Sequence, residues 1–313
     1  MVMLNVRKEV SKKLNGLVEY YLKNYKKMMI IPVILVVFFA GAVGFYYFMH
    51  GEPINEGISL AGGVSISITT NVSVSPVSIA SSVGKTLGQP VTVTVVHPPF
   101  STAVSGYTIS TGRNVNASAL TSAAASALGI TVDSADSSIN FVSATLGQDQ
   151  LNSSLILLGM AFILVAMVSL FYFRSKWQAF SNVISIISDV INIVGVMDLL
   201  GLSFGTASIA GILMVMGYSA DRNIILATNI LKRSEAGMKY RLIHTLRTSI
   251  TMDAAAIATF LVLLLGTNNA TIQGIAVVLI IGVIFDDFTV WILNGSTQLL
   301  GLKYKEETVP ASV

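Results

Sequence analysis

Residues 28–49 form an unbroken apolar run of about 22 residues, and at 1.5 Å of rise per residue a helix of that length crosses a hydrocarbon core of about 30 Å. Five more runs follow, at 155–173, 183–200, 204–231, 250–265 and 272–293. Six such runs confine the chain to a polytopic bundle of transmembrane α-helices. Only 11% of the residues are charged, against about 25% in an ordinary soluble domain, which excludes a typical cytosolic globule. Cysteine is absent, so disulfides, thiolate metal sites and cysteine nucleophiles are excluded too.

The first run reads as an uncleaved anchor. Phe45, Tyr46, Tyr47, Phe48 and Met49 fill its far end like an aromatic belt, where a signal peptide would have a shorter apolar core and a small-residue cleavage site. Basic residues then set the orientation. Arg7, Lys8, Lys12, Lys13, Lys23, Lys26 and Lys27 precede the first run, and Arg174 and Lys176 follow the second. Lys232, Arg233, Lys239, Arg241 and Arg247 separate the fourth from the fifth, and Lys303 and Lys305 follow the sixth. The stretch 51–152 holds only Lys85 and Arg113. The positive-inside rule therefore places both termini in the cytoplasm and residues 50–152 outside, in a multi-pass protein of the cell membrane. The expected parts are a basic N-terminus (1–27), the first span (28–49), the external domain (50–152), spans two to six (153–300) and a cytoplasmic tail (301–313). Because the basic residues border apolar runs, the net charge of +3 reports orientation, and no nucleic-acid partner is expected.

The external segment turns to Ser, Thr, Val and Ala with period-two alternation, giving expected strands at 64–69, 91–96, 103–110 and 139–145. Short helices fit 76–87 and 116–128, the second between Asn116 and the stop signal Gly129. The order β-α-β-β-α-β is the split βαβ, ferredoxin-like α+β arrangement inserted between helices 1 and 2. No nucleophile, base or metal constellation stands in it, and no Gly-x-x-x-x-Gly-Lys phosphate loop occurs, so no enzymatic activity, cofactor or metal is expected.

An ionisable residue near the centre of a spanning helix costs about 2.5–3.5 kcal/mol on the insertion scale, so each one needs a reason. Spans three to six hold Asp189, Asp198, Asp221, Arg222, Arg247, Asp253, Asp286 and Asp287. Counted from the cytoplasmic ends of their helices, Asp189, Asp221, Asp253 and Asp287 fall in one layer about 8–15 Å deep. Arg247 lies at its edge. Such a layer suggests a polar chamber serving as a proton relay, since neighbouring carboxylates in low dielectric cannot all stay charged; static pairs of Asp221 with Arg247 or Arg222 are the bland alternative. Small residues at Ala207 and Gly211 support close packing of the fourth span.

The motif Met216-Gly-Tyr-Ser-Ala-Asp-Arg-Asn, with Gly217, Tyr218 and Ser219, resembles the Gly-Tyr-Ser-x-Asp signature of the SecF family, the SecD partners in protein export. Gly57-Ile-Ser-Leu-Ala-Gly-Gly, ending at Gly62 and Gly63, resembles that family's Gly-x-Asp-(Phe/Leu)-x-Gly-Gly with Ser59 in place of the acid. Ile187-Ser-Asp-Val resembles its His-Asp-Val, and Leu246-Arg-Thr-Ser-Ile-Thr its Arg-Thr-x-x-Thr. The form of the motif at Asp221 is similar to the archaeal branch. The resemblance implies an accessory subunit acting with SecD on unfolded polypeptides crossing the SecY channel, embedded in membrane lipid, with Asp221 and Arg247 matching the acid and arginine linked to proton movement. Bacterial members carry a further acid where Arg222 stands. Two other readings use the same helix plan: a scaffold without ion coupling, and a small-molecule or lipid exporter of the resistance-nodulation-division type, whose doubled porter domains are missing here.

Overall fold

The basic N-terminus is a helix. In the computed structural model α1 spans Val2–Met28, and its apolar residues Val18, Tyr21 and Tyr25 recur at helical spacing and are buried against Leu226, Ile230, Leu242 and Leu299. The model describes the whole chain except Met1, 52–53, Pro99, Thr102, 113–114, 132–136, Ser143, Arg174, 232–236, Asn268 and 309–313. Arg113, Arg174, Lys232 and Arg233, used above for orientation, lie outside the described residues. Lys239 Nζ stands 2.8 Å from Glu19 Oε2, and its hydrogen bond and charge hold the Glu19 carboxyl below the ordinary carboxylate range. A break at Met29 separates α1 from α2, Ile30–His50, so the first spanning helix starts two residues later than its apolar run.

After a left-handed Gly51 the chain reaches the short α3, Ile58–Ala61, strapped to a later inter-helix loop: Gly57 N–H donates to Phe204 O at 2.8 Å, and Phe204 N–H to Asn55 O at 2.7 Å. Gly62, at φ +78°, and Gly63, at φ +152°, then turn the chain into the sheet, in backbone regions that L side chains rarely adopt. The turn is tight from both sides, because a Cβ on Gly147 would lie 2.5 Å from Leu60 O and 2.7 Å from Gly62 N.

The inserted unit runs β1 (Gly63–Thr69), α4 (Pro76–Leu87), β2 (Val91–Val96), β3 (Gly106–Thr111), α5 (Ala117–Leu128) and β4 (Ser137–Val142). The third and fourth strands begin three residues after and two before their expected starts. Sheet order is β2-β3-β1-β4, antiparallel throughout. Alternation decides the faces. Val64, Ile66, Ile68, Tyr107 and Ile109 pack under the helices against Ile79, Val83, Leu120 and Ala124. The other face carries hydroxyls, with Ser67 Oγ 3.0 Å from Thr108 Oγ1 and Ser110 Oγ 3.2 Å from Ser65 Oγ.

The helices that follow are α6 (Ala144–Phe173), α7 (Lys176–Leu199), α8 (Thr206–Leu231), α9 (Met238–Leu265) and α10 (Ala270–Phe288). A π turn, Thr289–Asn294, joins α10 directly to α11, Gly295–Thr308. Helix α6 therefore starts inside the stretch assigned to the external domain, α9 begins twelve residues before its apolar run, and α11 carries helix into the expected tail. The added turns of α9 bury Leu242 on one side only, which an apolar count misses. Among the described residues six helices are long and apolar enough to cross a membrane. Helices α7 and α8 are the inner pair, with 61% and 50% of their spanning windows buried, whereas only 6% is buried on α9.

Helices α8 and α10 meet along one seam. A Cβ on Gly274 would lie 3.3 Å from Ala207 Cβ, one on Gly211 would lie 2.8 Å from Val278 Cβ, and one on Gly282 would collide with Val215. A glycine faces Ala207, Val278 or Val215 at four-residue steps on both helices, and the pairs ascend together, so the two run parallel at close approach.

Candidate functional site

One turn beyond Val215 and Gly282 the seam turns polar, at Ser219 and Asp286. Arg222 follows on the same stripe of α8, 4% exposed, and its guanidinium joins three helices. Nη1 lies 2.6 Å from Asp286 Oδ2 and 3.1 Å from Asp253 Oδ1. Nη2 donates to Asp287 Oδ1 at 2.5 Å, Asp253 Oδ2 at 3.1 Å and Ser249 Oγ at 2.7 Å. Tyr218 closes the site, its hydroxyl donating to Asp253 Oδ1 at 2.6 Å and its ring centre 5.4 Å from the guanidinium carbon. Asp286 is fully buried and Asp253 nearly so, while the Asp287 side chain is 42% exposed. A pocket of about 240 Å³, lined by Arg222, Asn229, His244, Thr248, Ser249 and Trp291, leads from the guanidinium toward the end of the bundle where α8 stops and α9 starts.

A second network adjoins the first through Asp286, which lies against Asp189 of α7. Asp189 accepts from Ser219 Oγ at 2.7 Å and from Thr289 Oγ1. From Ser219 a directional chain runs outward: Asn223 Nδ2 donates to Ser219 Oγ at 3.2 Å, Asn294 Nδ2 to Asn223 Oδ1 at 2.6 Å, and Ser181 Oγ to Asn294 Oδ1 at 2.5 Å. The π turn makes this chain. In an α-helix Thr289 and Asn294 would stand about 140° apart around the axis, whereas i→i+5 winding stacks them on one face, toward Asp189 and Asn223.

Of the residues singled out from sequence, the fold brings together Asp189, Asp253, Asp287 and Arg222, with Tyr218 and Ser219. Asp221 and Arg247 are exposed on the outside of the bundle. The pairing of Asp221 with Arg222 is not formed, because Arg222 turns inward to Asp253, Asp286 and Asp287 while Asp221, the next residue, turns out. No ion pair joins Asp221 to Arg247 among the described residues. Gly217 has open space around it, Gly57 serves the strap to Phe204, and Gly62 and Gly63 serve the turn into the sheet. Sequence reasoning left Asp286, the deepest partner of Arg222, and Ser249 out of the site. The stripe Gly274, Val278, Gly282, Asp286 would have found the first.

Residues 123–303 match the family model described as "Protein export membrane protein SecD/SecF, C-terminal". The chain is 31% identical to the protein-export membrane protein SecF of Pyrococcus furiosus, over 95% of this chain and 97% of that protein. It belongs to the SecD/SecF protein-export family. SecF of Methanothermobacter thermautotrophicus is 28% identical over 89% of this SecF-like chain and 93% of its own length. The crystal structure of SecDF from Thermus thermophilus, a translocon-associated membrane protein, shares the fold with a TM-score of 0.68 at 19% identity. That match covers 91% of the SecF-like chain but only 38% of the SecDF chain. With these relatives and its six apolar helices, the chain is a multi-pass membrane protein and a SecF-like subunit of protein export.

Proposed function

We propose that this SecF-like subunit acts with a SecD partner to promote passage of unfolded polypeptides through a SecY channel, with both termini cytoplasmic and residues 50–152 outside. The outer edge of α8 and α9, carrying Asp221 and Arg247, is the surface offered to SecD, because exposed charges at that depth are costly against lipid and are neutralised by a polar partner. The apolar faces of α2 and α6, with Phe48 84% and Phe171 83% exposed, meet lipid.

The observation that carries a mechanism is the grip of Arg222 on carboxylates of both α9 and α10. One guanidinium faces Asp253, Asp286 and Asp287, with Asp189 behind them, and low dielectric does not tolerate so unbalanced a charge. Protons are the counter-charges such a cluster takes up. Each proton gained or lost changes which carboxylates hold Arg222, and with them how α8, α9 and α10 sit together. Half-exposed Asp287 and the pocket beside Arg222 give protons a route from the cytoplasmic side. Two relatedness arguments support the export role: near full-length similarity to named SecF proteins and the SecDF fold.

The test is export of a secreted reporter into inverted vesicles carrying Asp287→Asn, Asp221→Asn or Arg247→Ala, across imposed proton gradients and with SecD levels followed. Loss of the gradient-dependent component with the complex intact supports ion coupling. Unchanged gradient dependence in all three makes the subunit a scaffold.

A further inference from the structure

Between the hydroxyl face of the sheet and the end of the helical bundle lies a cleft of about 700 Å³. Ser65, Ser67, Thr108 and Ser110 line it from the sheet, and Thr206 and Thr271 from the bundle. Among the described residues no acidic or basic side chain lines it. We infer that this cleft is a groove for an extended, uncharged segment of polypeptide, an inference that rests on the export reading above and names where the subunit would touch its substrate.

The chemistry of the lining argues for that occupant. A hydroxyl both donates and accepts, so a wall of Ser and Thr pairs with backbone N–H and C=O groups at any register. Short side chains leave room and impose little choice among the side chains of the guest, which suits a surface that handles many sequences. Ser67 bonds Thr108 and Ser110 bonds Ser65 across the strands, and each hydroxyl keeps a second lone pair for a guest. The volume lies within the range of sites for compact ligands and fits a short peptide segment.

Position ties the groove to the charged site. Its walls are joined at two places, by the Asn55–Phe204–Gly57 bonds on one side and by Phe100 N–H donating to Leu265 O at 2.8 Å on the other. Its floor includes Ala207 and Gly274, the first pair of the α8–α10 seam. That seam ends at Arg222 and Asp286. Separation of α8 from α10 at the charged end therefore reshapes the floor of the groove.

Because the chain has no cysteine, single-cysteine variants label cleanly. Full-length chains carrying Ser67→Cys, Thr108→Cys or Thr271→Cys are placed with SecD in vesicles holding a stalled secretory polypeptide that bears one cysteine in an uncharged stretch. Crosslinks several-fold above those from Ser81→Cys and Ser122→Cys, on the exposed sides of α4 and α5, are expected. Equal yields from the groove and outer positions, in vesicles whose export depends on the subunit, overturn the groove and leave the export reading standing. Export that is the same with and without the subunit overturns the export reading and the groove with it. Thr108→Ala, which keeps the strand but removes a hydroxyl from the wall, is expected to lower the yield at Ser67→Cys; an unchanged yield counts against recognition through hydroxyls.

Discussion

Replacing Arg222 with Met removes five short polar contacts and leaves a side chain of similar reach, so the loss is electrostatic rather than a cavity. Asp286 and Asp253 are then buried without a cation, and breaking a buried pair in this way costs about 3–5 kcal/mol. Asp287 contributes little to that figure, because its side chain is 42% exposed and can find water. The Arg222→Met/Asp286→Asn double variant removes both the cation and its deepest anion, and is expected to recover stability relative to Arg222→Met, with a coupling of about 1–3 kcal/mol in a double-mutant cycle. Asp221→Asn is the control: one residue away in sequence, on the exposed side, it is expected to shift stability by no more than about 0.5 kcal/mol. Denaturation in detergent followed by tryptophan fluorescence reads these differences directly. One of the two tryptophans, Trp291, has its Nε1 3.4 Å from Ser249 Oγ, the same oxygen that Arg222 bonds. A loss below about 1 kcal/mol for Arg222→Met, or an equal loss for Asp221→Asn, would refute the assignment of Arg222 as the pin of three helices.

Three further outcomes follow from the packing. Gly211→Val overfills the seam where even a Cβ would stand 2.8 Å from Val278 Cβ, and is expected to cost about 1–3 kcal/mol, whereas Gly217→Ala, in open space, is neutral or gains up to about 1 kcal/mol in the same unfolding assay. Ala207→Cys/Gly274→Cys, with Cβ atoms close to bridging distance, is expected to lower export when oxidised and to recover it on reduction; full export in the oxidised state would show that α8 and α10 do not part there. Glu19, held below the ordinary carboxylate range by Lys239, anchors α1 above that range and loses its hold as pH falls through its folded value, so amide exchange in α1 should quicken at acid pH. Glu19→Gln should show the faster exchange at neutral pH as well.

The spans and the inserted unit were legible because both rest on periodicity: long apolar runs for the helices, and the alternation of Val64, Ile66 and Ile68 against Ser65 and Ser67 for the sheet. Their ends were less legible. The first turns of α9, from Met238, are amphipathic, and the stripe of α1 through Val18, Tyr21 and Tyr25 is apolar on one side only, so neither registers in a count of apolar residues. The site shows the same division more sharply. Counting at 1.5 Å per residue measures height along a helix and is blind to azimuth, so it put Asp221 in the carboxylate layer and Arg222 beside it as a local partner. About 100° separates the two around the axis, and that rotation sends Asp221 out and Arg222 in. Azimuth was nonetheless written in the sequence. Ser208, Ile212, Val215, Ser219, Arg222 and Leu226 recur at three and four, and all are buried; Gly274, Val278, Gly282 and Asp286 recur at four on the facing helix. Following those two stripes from their small residues leads to the Arg222–Asp286 pair without any count of depth. The π turn is a different matter, because i→i+5 winding is imposed by partners distant in sequence, with Asp189 drawing in Thr289 and Asn223 drawing in Asn294. Where helices are tied by side chains from several elements at once, local pattern locates the stripe, and the assembled bundle decides how the last turn is wound.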